Sequence, residues 1–333
     1  MLATFAVRNA LKIAVMNSVV IISNPSEVGA GTRGSSLGIG ALRVAGWKKN
    51  SDLFKRFVPI DIPVNNDALY TEDRNPYAHR IAAICRVFER TAEYMNPEIE
   101  KGHFPVVIGG DHSVAAGTIS ALRKASPDSR LGVIWIDAHA DLHTPYTTPS
   151  GNFHGMPLAI ALGEDNIQVR KNQPVPDTIT EWNGVKSLWG INPKVHAEDL
   201  ILIGVRDTED EEKALIARRG IRNFEVAEVR ARGIEACMAE AAERLKACDQ
   251  VYISFDVDSM DPDLISDGTG TPVPGGFSKE ESMDIIAALF KNLPVACFEL
   301  VEINPTLDTK GNKMAEVAFD ILSHVVDLAT YKA

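Results

Sequence analysis

Six short apolar runs, each ending in turn-forming or charged residues, constrain this chain more than any other feature. Residues 19–22 run toward a glycine-rich stretch at 29–40, residues 105–108 toward Gly109-Gly110-Asp111-His112, and residues 131–136 toward 137–143. Residues 200–205 meet Arg206-Asp207, residues 251–255 meet 256–261, and residues 295–301 lead into Glu302. Continuous apolar runs of this kind suit strands covered on both faces, as in parallel sheets. Between them, residues 77–94, 114–124, 234–248, 279–290 and 314–328 repeat apolar side chains every three or four positions, the pattern of helices with one buried face. Strand alternating with helix predicts an α/β fold: a doubly wound, mostly parallel sheet with helices on both faces. No repeat, low-complexity tract or long linker divides the chain, so residues 1–333 are expected to form a single domain. Residues 164–199, with Pro174, Pro176 and Pro193, carry the least pattern and read as an irregular excursion within it.

Composition bounds the function. The chain is 45% hydrophobic and 24% charged, with a formal net charge of −11. That balance argues against a nucleic-acid surface, which needs clustered Lys and Arg. The four cysteines, Cys85, Cys237, Cys248 and Cys297, form no CxxC pair and read as buried free thiols in a reducing compartment. Residues 1–22 hold Arg8 and Lys12 and no acid, but Asn17 and Ser18 interrupt the apolar stretch, so a targeting peptide is not expected. Residues 1–16 stand apart as a disordered or extra N-terminal segment, and Met16 is a second candidate start. No run approaches the roughly 18 apolar residues of a membrane span. A cytoplasmic protein without membrane or nucleic-acid partners is the expectation.

In an open parallel sheet, ligands bind at the carboxyl ends of the strands. Three of those ends carry metal-ligand types. In Asp137-Ala138-His139-Ala140-Asp141, an extended backbone would put the three polar side chains on one face and the alanines on the other. Taken alone, this run is equally a solvated strand end. Asp256 and Asp258 repeat the spacing, and like charges held that close need a positive group between them. His112 follows a Gly-Gly turn at a third end. Together the four carboxylates and two imidazoles match two divalent cations in charge. Mixed oxygen and imidazole donors disfavour Mg and Ca and suit Mn, Fe(II) or Co, with Zn also compatible. Two such ions about 3.5–4 Å apart share one water and lower its pKa toward neutrality, which predicts metal-assisted hydrolysis by a bridging hydroxide.

The runs Gly109-Gly110-Asp111-His112-Ser113, Asp137-Ala138-His139-Ala140-Asp141 and Ser254-Phe255-Asp256-Val257-Asp258 resemble the ureohydrolase family of arginase, agmatinase and formimidoylglutamase, in order along residues 19–305. Within it, Ser150-Gly151-Asn152-Phe153-His154-Gly155 looks like the arginase branch. The resemblance implies an arginase-like fold, two Mn ions, and hydrolysis of L-arginine to L-ornithine and urea. It implies that His112, Asp137, Asp141 and Asp256 hold one ion and Asp137, His139, Asp256 and Asp258 the other. By the same resemblance, Asp141, His154 and Glu302 are catalytic. His154 handles the proton, Glu302 pairs with the guanidinium, and Thr271 supports that contact. Thr148, Ser150 and Asn152 match positions facing the α-carboxylate, and Asp207 and Glu212 match acids around the α-amino group. Assembly into a homo-oligomer, a trimer or hexamer, is implied as well.

Three departures bear on the substrate. His143 stands where many arginases have Asn, Glu209 stands where Asp is usual, and residues 263–268 are one residue longer than in animal arginases. They leave the metal chemistry intact and bear on which guanidino compound is used. The rival expectations are agmatinase or guanidino-acid hydrolase activity, or a non-catalytic, metal-stabilised regulatory or assembly protein on the same fold.

Overall fold

The computed structural model describes residues 18–331, and the segment at residues 1–16 lies outside them. Eight strands form one sheet: β1 (Val19–Asn24), β2 (Ile60–Asp61), β3 (Phe104–Gly109), β4 (Leu131–Ile136), β5 (Leu200–Ile203), β6 (Arg222–Phe224), β7 (Gln250–Asp256) and β8 (Val295–Val301). Their order is β2-β1-β3-β8-β7-β4-β5-β6. Every neighbouring pair is parallel.

Alternation along the strands feeds two cores. Val106, Ile108, Ile134, Ile136, Ile253 and Phe255 pack on one face with residues from the helices Gly38–Lys48, Ile234–Arg244, Lys279–Asn292 and Lys313–Tyr331. Val107, Val133, Trp135 and Tyr252 point the other way, toward the helices Ile81–Glu100, Val114–Ala125, Pro157–Leu162 and Asp210–Arg219. Helices therefore cover both faces, as the doubly wound pattern requires.

Several boundaries differ from the sequence expectation for physical reasons. Gly204 has φ +87, and a Cβ there would meet the Phe277 ring at 2.7 Å, so β5 stops at Ile203 rather than at residue 205. The helix expected from residue 77 begins at Ile81, because Arg80 sits in the left-handed region at φ 57. Residues 164–199 are not wholly irregular: they contain the helix Pro176–Lys186. It is opened by a proline at its first position and anchored by buried Trp182 and Val185. The edge strands β2 and β6 are two and three residues long, too short to show as apolar runs. The four cysteines are unpaired, and three of them are buried. Among the described residues no helix is long and apolar enough to cross a membrane.

Candidate active site

The carboxyl ends of β3, β4, β7 and β8 converge on a cleft of about 130 Å³. At its floor, His112 Nδ1 faces Asp137 Oδ2 at 3.0 Å, Asp256 Oδ2 at 3.1 Å and Asp141 Oδ2 at 3.2 Å. Beside this group, His139 Nδ1 lies 3.0 Å from Asp258 Oδ2 and 3.5 Å from Asp137 Oδ1. The two groups share Asp137, whose two oxygens face different imidazoles. All six side chains expected as metal ligands are thus brought together.

The backbone reaches this arrangement differently from the extended strand first expected. β4 ends at Ile136, and Asp137 is held in a bend by its N–H to Ile203 O at 3.1 Å. His139 makes an isolated bridge with Asp207, and Asp141 turns back at φ 49. Asp256 closes β7, and Val257–Ser259 then forms a 3-10 turn in which Asp258 N–H donates to Asp256 Oδ1 at 2.8 Å. An extended run would have presented the acids along a line, whereas the bends wrap them around two points. Glu302 also has positive φ, at 66, and its N–H donates to Gly110 O at 2.9 Å. Left-handed backbone at a non-glycine residue costs on the order of 1–3 kcal/mol and persists where surrounding structure holds it.

Electrostatics asks for a cation here. Burial pushes the Asp256 carboxyl well above the usual carboxylate range, and Asp258 and Asp137 push it further. Burial and the charge of Asp137 likewise raise Asp141 to about 6. His112 Nδ1 and Asp137 Oδ2 are buried without a hydrogen-bond partner, although they lie 3.0 Å apart, because the geometry is wrong for a hydrogen bond. A misaligned imidazole edge facing three carboxylate oxygens is a donor set that could hold a divalent ion. The residues therefore fit a metal on chemical grounds. The groups His112–Asp137–Asp141 and Asp137–His139–Asp258 each bring three ligand atoms within 4.8 Å of one another.

Supporting contacts surround the ligands. His112 Nε2 is 2.8 Å from Ser254 Oγ, and its ring stacks on Trp135 at 4.0 Å with planes 5° apart. Neither Ser254 nor Trp135 had been assigned a role from the sequence. Both were legible, since Ser254 lies two residues before Asp256 and Trp135 two before Asp137, on the sides those aspartates share. Ala138 N–H donates to Asp258 Oδ1 at 3.1 Å. Thr271 donates its hydroxyl to Asp258 Oδ2 at 3.2 Å and lines the same cleft as Glu302.

The walls carry the remaining candidates. Glu302 Oε1 accepts the His112 N–H at 2.9 Å and lies 3.7 Å from His154 Nδ1. Burial opposes a charge on His154, but Glu302, Asp141 and Asp111 outweigh it and raise its pKa. Thr148, Ser150, Asn152, His143, Glu209 and Glu212 all line the cleft. Thr148 Oγ1 accepts from Gly151 N–H at 2.9 Å, which shapes the loop carrying Ser150 and Asn152. Asp207 does not join the lining: its side chain is 67% exposed, with a carboxylate oxygen 3.9 Å from His139 Nε2 on the rim.

A family model described as "Arginase family" matches residues 17–327. The arginase of Bacillus subtilis is 33% identical over 311 residues, covering 93% of this chain and 97% of that one. The arginase of Brevibacillus brevis is 36% identical over 310 residues, covering 92% and 96%. Among solved structures, the Bacillus caldovelox arginase superposes with a TM-score of 0.78 at 34% identity, covering 93% of this chain and 98% of that one. The Entamoeba histolytica arginase, solved in complex with L-ornithine, has a TM-score of 0.77 at 27% identity, covering 93% and 98%. A formimidoylglutamase of Bacillus subtilis at 18% identity and TM-score 0.71 shares the fold.

Proposed function

This chain belongs to the arginase family of ureohydrolases, and we propose that it hydrolyses L-arginine to L-ornithine and urea. The observation that carries this reading is the placement of Glu302 and His154 beside two ligand groups that share Asp137. A cleft lined by hydroxyl and amide groups as well as acids suits an amino-acid tail. The Entamoeba histolytica relative was solved in complex with L-ornithine, which supports an amino-acid product of this class.

His112, Asp137, Asp141 and Asp256 would hold one divalent ion, and Asp137, His139, Asp256 and Asp258 the other, with Mn2+ favoured and Co2+ or Fe2+ as alternatives. Such a pair lowers the pKa of a water and supplies the nucleophile for hydrolysis. The protein's own residues do the rest. Glu302, fixed by the His112 N–H, pairs with the guanidinium and orients its carbon toward the ligand groups. Asp141, buried at the cleft floor beside His112, would hold the proton released on attack. His154, kept protonated by Glu302, donates to the leaving amine. Thr148, Ser150 and Asn152 receive the α-carboxylate, and Glu209 and Glu212 receive the α-ammonium. Asp207 screens the rim. The protein would work in the cytoplasm as a homo-oligomer, a trimer or hexamer.

The test is urea release from L-arginine, agmatine and 4-guanidinobutyrate by Mn-, Co- and Fe-loaded protein. L-arginine is expected to show the highest kcat/KM. A higher value for another compound would move the chain to a neighbouring specificity, and no urea from any would favour a non-catalytic role. In the same assay Asp137→Asn should lose most bound metal and nearly all turnover. Near-normal turnover of that variant would overturn the ligand assignment.

A further inference from the structure

Just past β5, the half-buried guanidinium of Arg206 is tied to five backbone carbonyls. Nη2 donates to Val273 O at 2.6 Å and to Asp258 O at 2.9 Å, and Nη1 to Gly204 O at 3.1 Å and to Ser259 O at 3.4 Å. Nε donates to Pro274 O at 3.1 Å. A guanidinium carries five N–H donors in a fixed fork, so every one is engaged. The backbone N–H groups of Arg206 and Asp207 both donate to Ala138 O, at 2.9 and 3.0 Å, and Ala138 N–H in turn donates to Asp258 Oδ1. Arg206 thus joins the ligand run at 137–141, the 3-10 turn Val257–Ser259 and the loop 271–276, from which Thr271 donates to Asp258 Oδ2. Gly276 makes room for this, since a Cβ there would come within 2.7 Å of Arg206 Nη2. Among the described residues, none of these contacts reaches His112, Asp141 or Asp256. Burial opposes the charge of Arg206, and of the acids that favour it Asp258 and then Asp137 act most strongly.

We propose that Arg206 is the positioning residue of the Asp137–His139–Asp258 group, setting the affinity of the ion that this group would hold and leaving the ion of His112 and Asp141 unchanged. This rests on the two-ion reading of the proposed function and separates the two ions by what stands behind each. His112 meets Ser254 on β7 and Trp135 on β4, within the sheet itself. Asp258 lies beyond the end of β7 in a turn, where its carbonyl is held by the guanidinium and its carboxylate by Ala138 N–H and the Thr271 hydroxyl. Both carboxylate partners sit on segments that Arg206 also anchors. Losing the fork therefore frees the turn and both partners together, and Asp258 is misplaced as a ligand. Charge acts in the opposite sense, because a cation beside the group repels an ion held there. Removing the charge alone would tighten the ion, so a loss of affinity reports geometry.

Arg206→Lys and Arg206→Gln test this in the full chain loaded with Mn2+. Lysine keeps the charge but donates from a single point in place of a planar fork, and glutamine removes the charge. Bound Mn2+ per chain is measured against increasing chelator. In both variants one ion is expected to leave at about tenfold lower chelator concentration than in the parent, while the other leaves where it does in the parent. Adding Ser254→Ala, which acts on His112, should then weaken the other ion as well. Equal weakening of both ions by either Arg206 change, tighter binding in Arg206→Gln, or parent-like release in Arg206→Lys would overturn the proposal. So would Ser254→Ala acting on the same ion as Arg206→Lys. Failure of both Arg206 variants to fold would make the residue a requirement of the fold and would overturn it too. A parent protein that holds fewer than two ions would instead defeat the two-ion reading, so the two failures are distinguishable.

Discussion

The hydroxyl of Ser254 lies 2.8 Å from His112 Nε2, while Nδ1 of the same ring faces the carboxylates. An Nε2–H donated to Ser254 Oγ would leave the Nδ1 lone pair for an ion shared with Asp137, Asp141 and Asp256. Partners of this kind are typically worth about 10–100-fold in metal affinity. Ser254→Ala is thus expected to weaken metal binding by about tenfold, read by competition with a chelator, and an unchanged affinity would count against the role. Glu299 lies beside Ser254 in the sheet, fully buried, and burial pushes its carboxyl up to about 7 from an ordinary 4.5. A raised carboxyl favours the fold while protonated, so its contribution is complete below about pH 4.5 and lost as pH rises through about 7. Glu299→Gln should therefore raise the melting temperature relative to the parent at pH 8, and the difference should shrink toward pH 4. A difference independent of pH would show that Glu299 does not titrate in this range. Nothing local in the sequence marks Glu299, because its chemistry comes from lateral neighbours on another strand. The partnership of His143 with Glu209 is hidden for the same reason, being made across 66 residues.

At the level of elements, the site depends on where strands stop. Gly110 follows β3, and a Cβ there would come within 2.1 Å of Ser26 O, a backbone atom that has no rotamer to yield. Gly110→Ala is expected to destabilise by about 1–3 kcal/mol, as overpacking does, and to displace His112. Thermal unfolding together with metal content checks both parts, and a variant matching the parent in both would refute the steric argument. The sequence made the long central strands legible: 131–136 and 295–301 coincide with β4 and β8. Those runs are buried on both faces, so their apolar character is uninterrupted. The helix Gly38–Lys48 escaped notice because its glycines are poor helix formers, while Ala41, Leu42 and Ala45 supply the tertiary packing that overrides propensity. The helix Asp210–Arg219 shows in the sequence only as an acidic stretch, because its surface is largely charged and its start rests on the Glu209–Glu212 capping box. The ligand types at the strand ends were legible. The bends that wrap them around two points were not, since they depend on Ile203 and Gly110 as backbone partners.

For the molecule as a whole, the site concentrates negative charge in a chain already at −11. Ion binding relieves that repulsion and stabilises only the folded state, by about 4 kcal/mol at a thousandfold excess over Kd. Chelation should lower the melting temperature accordingly. Its pH dependence has a defined sign. The raised Asp141 carboxyl stabilises the metal-free fold below about pH 4 and ceases to do so as pH rises through about 6. Metal binding needs the ionised form, so it strengthens over the same interval. The gap in melting temperature between metal-loaded and metal-free protein should widen from about pH 4 to about pH 6, and a gap that narrows would contradict the assignment. The strand order carries a consequence for biosynthesis. β8, late in the chain, lies between β3 and β7 and is the sole link between β2-β1-β3 and β7-β4-β5-β6 within the sheet. A nascent chain that has not yet emerged through Val301 holds His112 on one unjoined ribbon and the four aspartates on another. The group that needs His112 therefore waits for the closing strand, whereas Asp137, His139 and Asp258 meet on the β7-β4 ribbon alone.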